Sequence, residues 1–338
     1  SVNTLQGSVI DDNGDVVSDF NGSVSVNIYD KEQIITTLNN DKEEIDTLFK
    51  YKDRPNMLFS GKAVVNNGRF SITFMIPKDI KYNYGGGRIN YYAQDDENDY
   101  EAQGYFENFK IGGESGVLIN DNEGPIIEQI YLNHLGFASK DKVNESPYFV
   151  ATVSDENGIN TVGSGIGHDM TLTVDNDPNQ SYVLNSYFES ELGSYKRGTA
   201  RYKLTELAEG KHTLTYRVWD LLNNSTTVSF DFEVVMGLEP EIFSVISYPN
   251  PATVTDVVYF KITHDRPETI LKATVDVFDL SGRLIWTFNQ STTETIPWNL
   301  TSNNGEKLSN GLYLYRISIS TIEGRSVSKT NKIIIKNQ

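Results

Sequence analysis

Hydrophobic and polar residues alternate along much of this chain with a period of two, the spacing of strands that bury one face and wet the other. In the stretch 22–29, Val24, Val26 and Ile28 fall on one side, and Ser23, Ser25 and Asn27 on the other. The same alternation runs through Phe70, Ile72, Phe74 and Ile76, after an Asn66-Asn67-Gly68 turn able to supply positive φ. Asn13-Gly14 marks an earlier turn, and Gly85-Gly86-Gly87 bends the chain into Arg88-Ile89-Asn90-Tyr91-Tyr92-Ala93. Ile45, Leu48 and Phe49 are spaced as on a helix, so residues 41–50 read as either a short helix or a long loop.

Farther along, Leu214, Tyr216 and Val218 alternate with Thr215 and Arg217, a turn follows over Asp220–Asn224, and Val228, Phe230, Phe232 and Val234 resume the pattern. Turn signals at Asp155-Glu156-Asn157-Gly158 and Glu209-Gly210 give the spacing of an immunoglobulin-like module. In the last quarter, strands are expected at 273–278, 284–288, 312–319 and 332–335, with turns at Asp279–Gly282, Asn310-Gly311 and Glu323-Gly324. Pro249 and Pro251 remove two backbone donors and set how this part begins. The closing Lys332-Ile333-Ile334-Ile335-Lys336 would be a sticky edge if left bare, so its own domain or a partner must pair it.

Turn-forming residues gather at 112–125 and 236–240, and 338 residues exceed what one core usually organises. The expectation is an all-β chain of three consecutive immunoglobulin-like β-sandwich domains, 1–116, 117–238 and 239–338. Charge separates them: 11 basic against 19 acidic residues in the first, 8 against 17 in the second and 10 against 10 in the third. Two acidic domains repel phosphate, which argues against nucleic acid as a partner. There is no run of about 20 apolar residues to form a transmembrane segment and no basic-then-apolar signal peptide. The chain opens on Ser1 without an initiating Met and reads as a C-terminal piece of something longer.

Candidate chemistry is thin. The cysteine count is zero, which excludes thiol nucleophiles, thiolate zinc sites and disulfides within this span. Gly163-Ser164-Gly165-Ile166-Gly167 lacks the Gly-x-Ser-x-Gly spacing of a nucleophile elbow. His134, His168, His212 and His264 form no zinc-binding pair, although His168 stands beside Asp169 on a glycine-rich bend. Acidic clusters at Asp11–Asp15, Asp95–Asp99 and Asp175–Asp177 match no EF-hand spacing and are read first as turn chemistry, with calcium as the alternative. Tyr82, Tyr84, Tyr91 and Tyr92 are read as packing residues, with a sugar-stacking surface as the alternative. No catalytic residue, metal ligand or cofactor site is assigned.

Four motifs in order then carry a resemblance: Tyr248-Pro249-Asn250-Pro251, Val275 to Arg283, Asn310-Gly311-Leu312-Tyr313-Leu314-Tyr315-Arg316-Ile317, and Lys332 to Lys336. Together they resemble the C-terminal domain of cargo proteins of the bacterial type IX secretion system. Upstream, Ile76–Tyr82, Gly87–Ala93, Gly158-Ile159-Asn160 and Gly165–Asp169 look like the region after the protease domain in gingipain-like sortases of that system. The resemblance implies a cysteine endopeptidase that trims C-terminal signals from cargo at the cell surface and helps join the cargo to lipopolysaccharide. Its catalytic Cys and His would precede Ser1, leaving this chain non-catalytic. The implied partners are the upstream protease domain of the same polypeptide and outer-membrane type IX components, including a β-barrel shuttle protein. The implied location is the surface or outer membrane of a Gram-negative bacterium, reached through the periplasm. Gly311, Tyr313, Ile317, Lys332, Ile333, Ile334, Ile335 and Lys336 would form the recognition surface, by β-edge contact.

Overall fold

The structure, a computed structural model, describes residues 2–336 apart from 39, 41–47, 79–82, 96, 114–118, 164–166, 255, 268, 270, 293–294, 322–323 and 325. The first ten strands are β1 (Val2–Ser8), β2 (Gly22–Tyr29), β3 (Gln33–Thr36), β4 (Lys50–Asp53), β5 (Met57–Asn66), β6 (Arg69–Met75), β7 (Gly85–Gly86), β8 (Arg88–Asp95), β9 (Tyr100–Phe106) and β10 (Lys110–Ile111). Six of them make one sheet in the order β1-β6-β5-β2-β8-β9, and β3-β4 and β10-β7 form small ladders. The period-two pattern explains the burial: Val24, Val26 and Ile28 are buried with Ile72, Phe74, Ile89 and Ala93. Asn67 and Gly68 both take positive φ, 49° and 70°, which lets a two-residue turn join β5 to β6. Most of the segment read as helix or loop lies outside the described residues; its end, from Lys50, is a strand.

Nine strands follow: β11 (Ile126–Leu132), β12 (Lys142–Val143), β13 (Tyr148–Ser154), β14 (Thr171–Val174), β15 (Ser181–Val183), β16 (Phe188–Ser190), β17 (Arg197–Lys203), β18 (Gly210–Trp219) and β19 (Ser225–Val234). They form two sheets, β11-β13-β17-β16 and β12-β19-β18-β14-β15. Leu214, Tyr216, Val218, Phe232 and Val234 are buried, as their alternation requires. The only helices among the described residues are two three-residue 3₁₀ turns, Pro178–Gln180 and Asn185–Tyr187.

The last strands are β20 (Ile242–Tyr248), β21 (Ala252–Thr253), β22 (Val258–His264), β23 (Leu271–Phe278), β24 (Leu284–Thr292), β25 (Thr295–Trp298), β26 (Gly311–Ser320) and β27 (Ser326–Lys336). Sheets β20-β22-β25 and β21-β27-β26-β23-β24 enclose a core in which Phe260 packs on Trp298 and Tyr315, with ring centroids 5.8 and 4.9 Å apart. Arg266, 4% exposed, pairs with Asp265 and donates to the carbonyls of Leu238 at 2.9 Å and Glu239 at 3.3 Å, tying the approach segment to this core. Contacts gather the chain into two compact units: residues 1–130, 150–202 and 213–230, and residues 131–149, 203–212 and 231–338.

Candidate functional site

The terminal strand is closed by its own domain. On one side β27 pairs antiparallel with β26, from Gly311 opposite Ile335 to Ser320 opposite Ser326. On the other, β21 runs parallel, with Ala252 opposite Ile335 and Thr253 opposite Lys336. Asn250 finishes the edge: its Nδ2 donates to the Lys332 carbonyl at 2.9 Å, and its Oδ1 accepts the Ile334 N–H at 3.1 Å. One side-chain amide thereby stands in for a neighbouring strand. Farther along, Asn331 Nδ2 donates to the Val245 carbonyl and Lys329 Nζ to the Phe243 carbonyl, at 3.1 and 2.7 Å.

Strand parity divides the eight residues expected to form the recognition surface. Tyr313, Ile317, Ile333 and Ile335 point into the core and are at most 8% exposed, so these four are corrected from contact residues to core residues. Gly311, Lys332, Ile334 and Lys336 are exposed. Beside them stand Leu312 and Leu314, each 37% exposed, and Ile334 at 38%. Leu312 lies opposite Ile334 and Leu314 opposite Lys332, which makes a small apolar patch flanked by cations. Arg316 bounds it, donating to Asp276 at 2.9 Å and lying 5.4 Å from the Phe278 ring centroid.

The acidic clusters behave as turn chemistry. Asp11 accepts from the N–H groups of Asn13 and Asp15, and its pKa is lowered chiefly by the Asp15 bond. Buried Asp95 accepts from the N–H groups of Asn21, Glu97 and Asn98, and Asp175 accepts from the Thr213 N–H. Tyr91 packs at 5.8 Å on Phe70, Tyr84 and Tyr92 are exposed, and Tyr82 lies outside the described residues. His168 sits 4.4 Å from the Trp219 ring, while Ser164 to Ile166 lie outside the described residues.

A constellation not anticipated from the sequence joins three turns. Carboxylate oxygens of Asp121, Asp155 and Asp220 lie within 4.8 Å of one another. Asn157 Nδ2 donates to Asp121 at 2.6 Å, and Asn224 Nδ2 to Asp220 at 2.8 Å. Asp155 accepts from the N–H groups of Asn157 and Gly158, and Asp220 from those of Leu222 and Asn224. Burial, with the charges of Asp220 and Asp121 added, pushes the Asp155 carboxyl up to about 6; burial also raises Asp220. The three carboxylates would suit a hard cation, but the side-chain amides of Asn157 and Asn224 already donate to two of them.

A profile described as a secretion system C-terminal sorting domain matches residues 247–336. No curated protein matches. Among solved structures, the chain is similar to dimeric latent PorU from Porphyromonas gingivalis, with 35% identity over 100% of this chain and 32% of that one, and a TM-score of 0.43. The chain thus spans about a third of that protein, and the likeness rests on residue identity along the whole chain. It also matches SGBP-B of Bacteroides ovatus, at 12% identity, 100% and 70% coverage and a TM-score of 0.29. The Ig1-2 module of the Drosophila receptor tyrosine phosphatase DLAR matches at 9% identity, 63% and 100% coverage and a TM-score of 0.25. Apart from the two short 3₁₀ turns, the regular structure among the described residues is all strand.

Proposed function

From a chain that is PorU-like along its length and ends in a type IX sorting domain, we propose the non-catalytic scaffold and docking region of a cell-surface type IX sortase. In this reading the three sandwiches, 1–116, 117–238 and 239–338, support and present a gingipain-like cysteine protease domain carried upstream on the same polypeptide. The observation that carries it is the 35% identity to PorU over the full chain, well beyond the sorting tail that ordinary cargo would share. The chain's own composition agrees, since it holds no cysteine to act as the nucleophile. Among the described residues no helix is long and apolar enough to cross a membrane. In this reading outer-membrane type IX components, a β-barrel shuttle protein among them, hold the protein at the surface.

The closed β27 edge moves the docking surface from the strand edge to the outer sheet face, where Leu312, Leu314, Lys332 and Ile334 stand together. A second reading, a surface adhesin or other cargo with a cleavable tail, is favoured by the same match over 247–336. Intact mass of the mature protein from cells separates the two. A species keeping residues 239–338 supports the sortase reading, and a species lacking them supports cargo. For docking, Ile334→Glu together with Leu312→Glu should release the protein from the surface without unfolding it. Unchanged retention would refute the face as the contact.

A further inference from the structure

The β3-β4 ladder stands apart from the six-stranded sheet. Gln33 pairs with Asp53 and Thr36 with Lys50, and among the described residues no third strand joins them. The Thr37 N–H donates to the Phe49 carbonyl at 3.0 Å and carries the ladder one step farther. A lone two-stranded ladder is marginal in water and becomes stable only when a face is covered. This one is apolar on both faces. Ile34, 68% exposed, projects to one side; Phe49, 67% exposed, and Tyr51 project to the other with their rings stacked 6.3 Å apart. Leu38, beyond the paired residues, is 84% exposed.

The root of this arm is tied down. Asp30 and Lys31 are buried side by side just before β3 and pair at 2.9 Å, and the Asp30 N–H donates to the Asn56 carbonyl at 2.9 Å across the base. After β4, Arg54 reaches Glu107 at 3.3 Å, and Glu32 pairs with Lys52 at 2.8 Å. A buried ion pair adds little net stability, so its use here is to fix where the arm starts. Both strands leave a held base, and their apolar side chains stand clear of it.

Strand direction gives the end of the sheet from which the arm projects. Val2 lies opposite Met75, and β1 runs the same way as β5, against β6 and β2. The chain therefore enters the sheet at the end where Tyr29 closes β2 opposite Met57, the first residue of β5. The arm joins those two residues, so it leaves from that same end. On the sortase reading, the protease domain feeds into the sheet through Ser1, directly beside it.

We propose that the β3-β4 arm is the clasp by which this chain holds its upstream protease domain, with Ile34, Leu38, Phe49 and Tyr51 inserted into an apolar groove of that domain. An element apolar on both faces fits a groove and not a flat surface. The inference rests on the sortase reading and gives its general support a named contact.

The test uses the full-length polypeptide. With p-benzoylphenylalanine in place of Phe49, irradiation should join that position to peptides from before Ser1 of the same polypeptide. The yield should be at least roughly ten-fold higher than with the same group in place of Tyr100, because only a residue in contact lies within reach. Tyr100 is also exposed but sits opposite Asp95, at the far end of the sheet. Adding Ile34→Glu, at an exposed site that leaves the core intact, should cut the yield several-fold. Products with a second copy, with another protein or only within residues 1–338 would overturn the proposal, as would no product at all. A full-length polypeptide without a protease domain before Ser1 would sink the sortase reading and the clasp together. A protease domain that is present but never joined to position 49 would sink the clasp alone.

Discussion

At the C-terminal strand, Asn250 and the two residues of β21 take up the outward backbone groups of the end of β27, from Lys332 to Lys336; at β9, the edge strand of the N-terminal sheet, no strand does so among the described residues. The contrast runs against composition. The apolar Lys332-Ile333-Ile334-Ile335-Lys336 run is the more adhesive sequence, yet it is the one closed within its domain. The more polar β9 is left to face solvent. An edge is therefore judged by what its own chain spends on it, here one asparagine amide and a two-residue parallel ladder, and hydrophobicity alone misleads.

The largest effect that tests this contrast comes from neighbours on β27. Ile333 is fully buried and Ile334 is 38% exposed, one residue away on the opposite face. Ile333→Ala should cost about 2–4 kcal/mol by denaturant unfolding, and Ile334→Ala less than about 0.5. Similar losses would mean that the strand does not present alternate faces as described. The same burial makes deletion of residues 332–338 a poor test of docking. It would remove Ile333 and Ile335 from the core and leave Asn250 without its partners, unfolding the domain whose contacts it is meant to probe.

A smaller effect belongs to the cap. Asn250→Ala leaves the Lys332 carbonyl and the Ile334 N–H without a protein partner, at a cost of about 1 kcal/mol because both can turn to water. Asn250→Asp keeps the acceptor for Ile334 and loses the donor to Lys332, so it should fall between the parent and the alanine variant. Amide exchange at Ile334 should quicken in the alanine variant before exchange at Ile333, whose neighbour is β26.

Much of this was legible beforehand, for a reason that also sets the limit. Period-two alternation is local, so β2, β6, β18, β19, β23 and β26 could be read from the chain, as could the Asn67-Gly68 turn. Parity applied to the terminal motif would likewise have put Ile333 and Ile335 inside and Ile334 outside; reading the motif as one surface overlooked it. What was not legible is contact between distant turns. Asp155 and Asp220 were each visible as turn residues, and Asp121 lay in a stretch read as linker, but only folding brings the three within 4.8 Å. Asn250 was read as part of a proline corner, and nothing local reveals that its amide serves a strand 82 residues away.

That aspartate group gives the third effect. The folded Asp155 carboxyl titrates near 6 against an ordinary value of 3.8, so the folded state holds more protons than the unfolded between those values. Its stabilising contribution is therefore full below about pH 4 and is lost as pH rises through 6. Asp155→Asn keeps an oxygen for the Asn157 and Gly158 N–H groups and removes a charge from beside Asp121 and Asp220. It should raise stability at pH 7 by about 1–3 kcal/mol and flatten the pH profile between 4 and 6. A lower melting temperature for the variant at pH 7, together with calcium raising that of the parent and not that of the variant, would instead make the three carboxylates a cation site.

The smallest effect on stability sharpens the comparison most. Gln103→Asp on β9 changes an exposed side chain that makes no core contact, so monomer stability should move by less than about 0.5 kcal/mol. The matching substitution on the closed edge, Thr330→Asp on β27, adds an exposed charge opposite Arg316. Thr330 is exposed as Gln103 is, so this change too should move stability by less than about 0.5 kcal/mol. A loss well above about 1 kcal/mol at Gln103, with Thr330→Asp near neutral, would mean that β9 is not the open edge described, and the contrast between the two edges would fall with it.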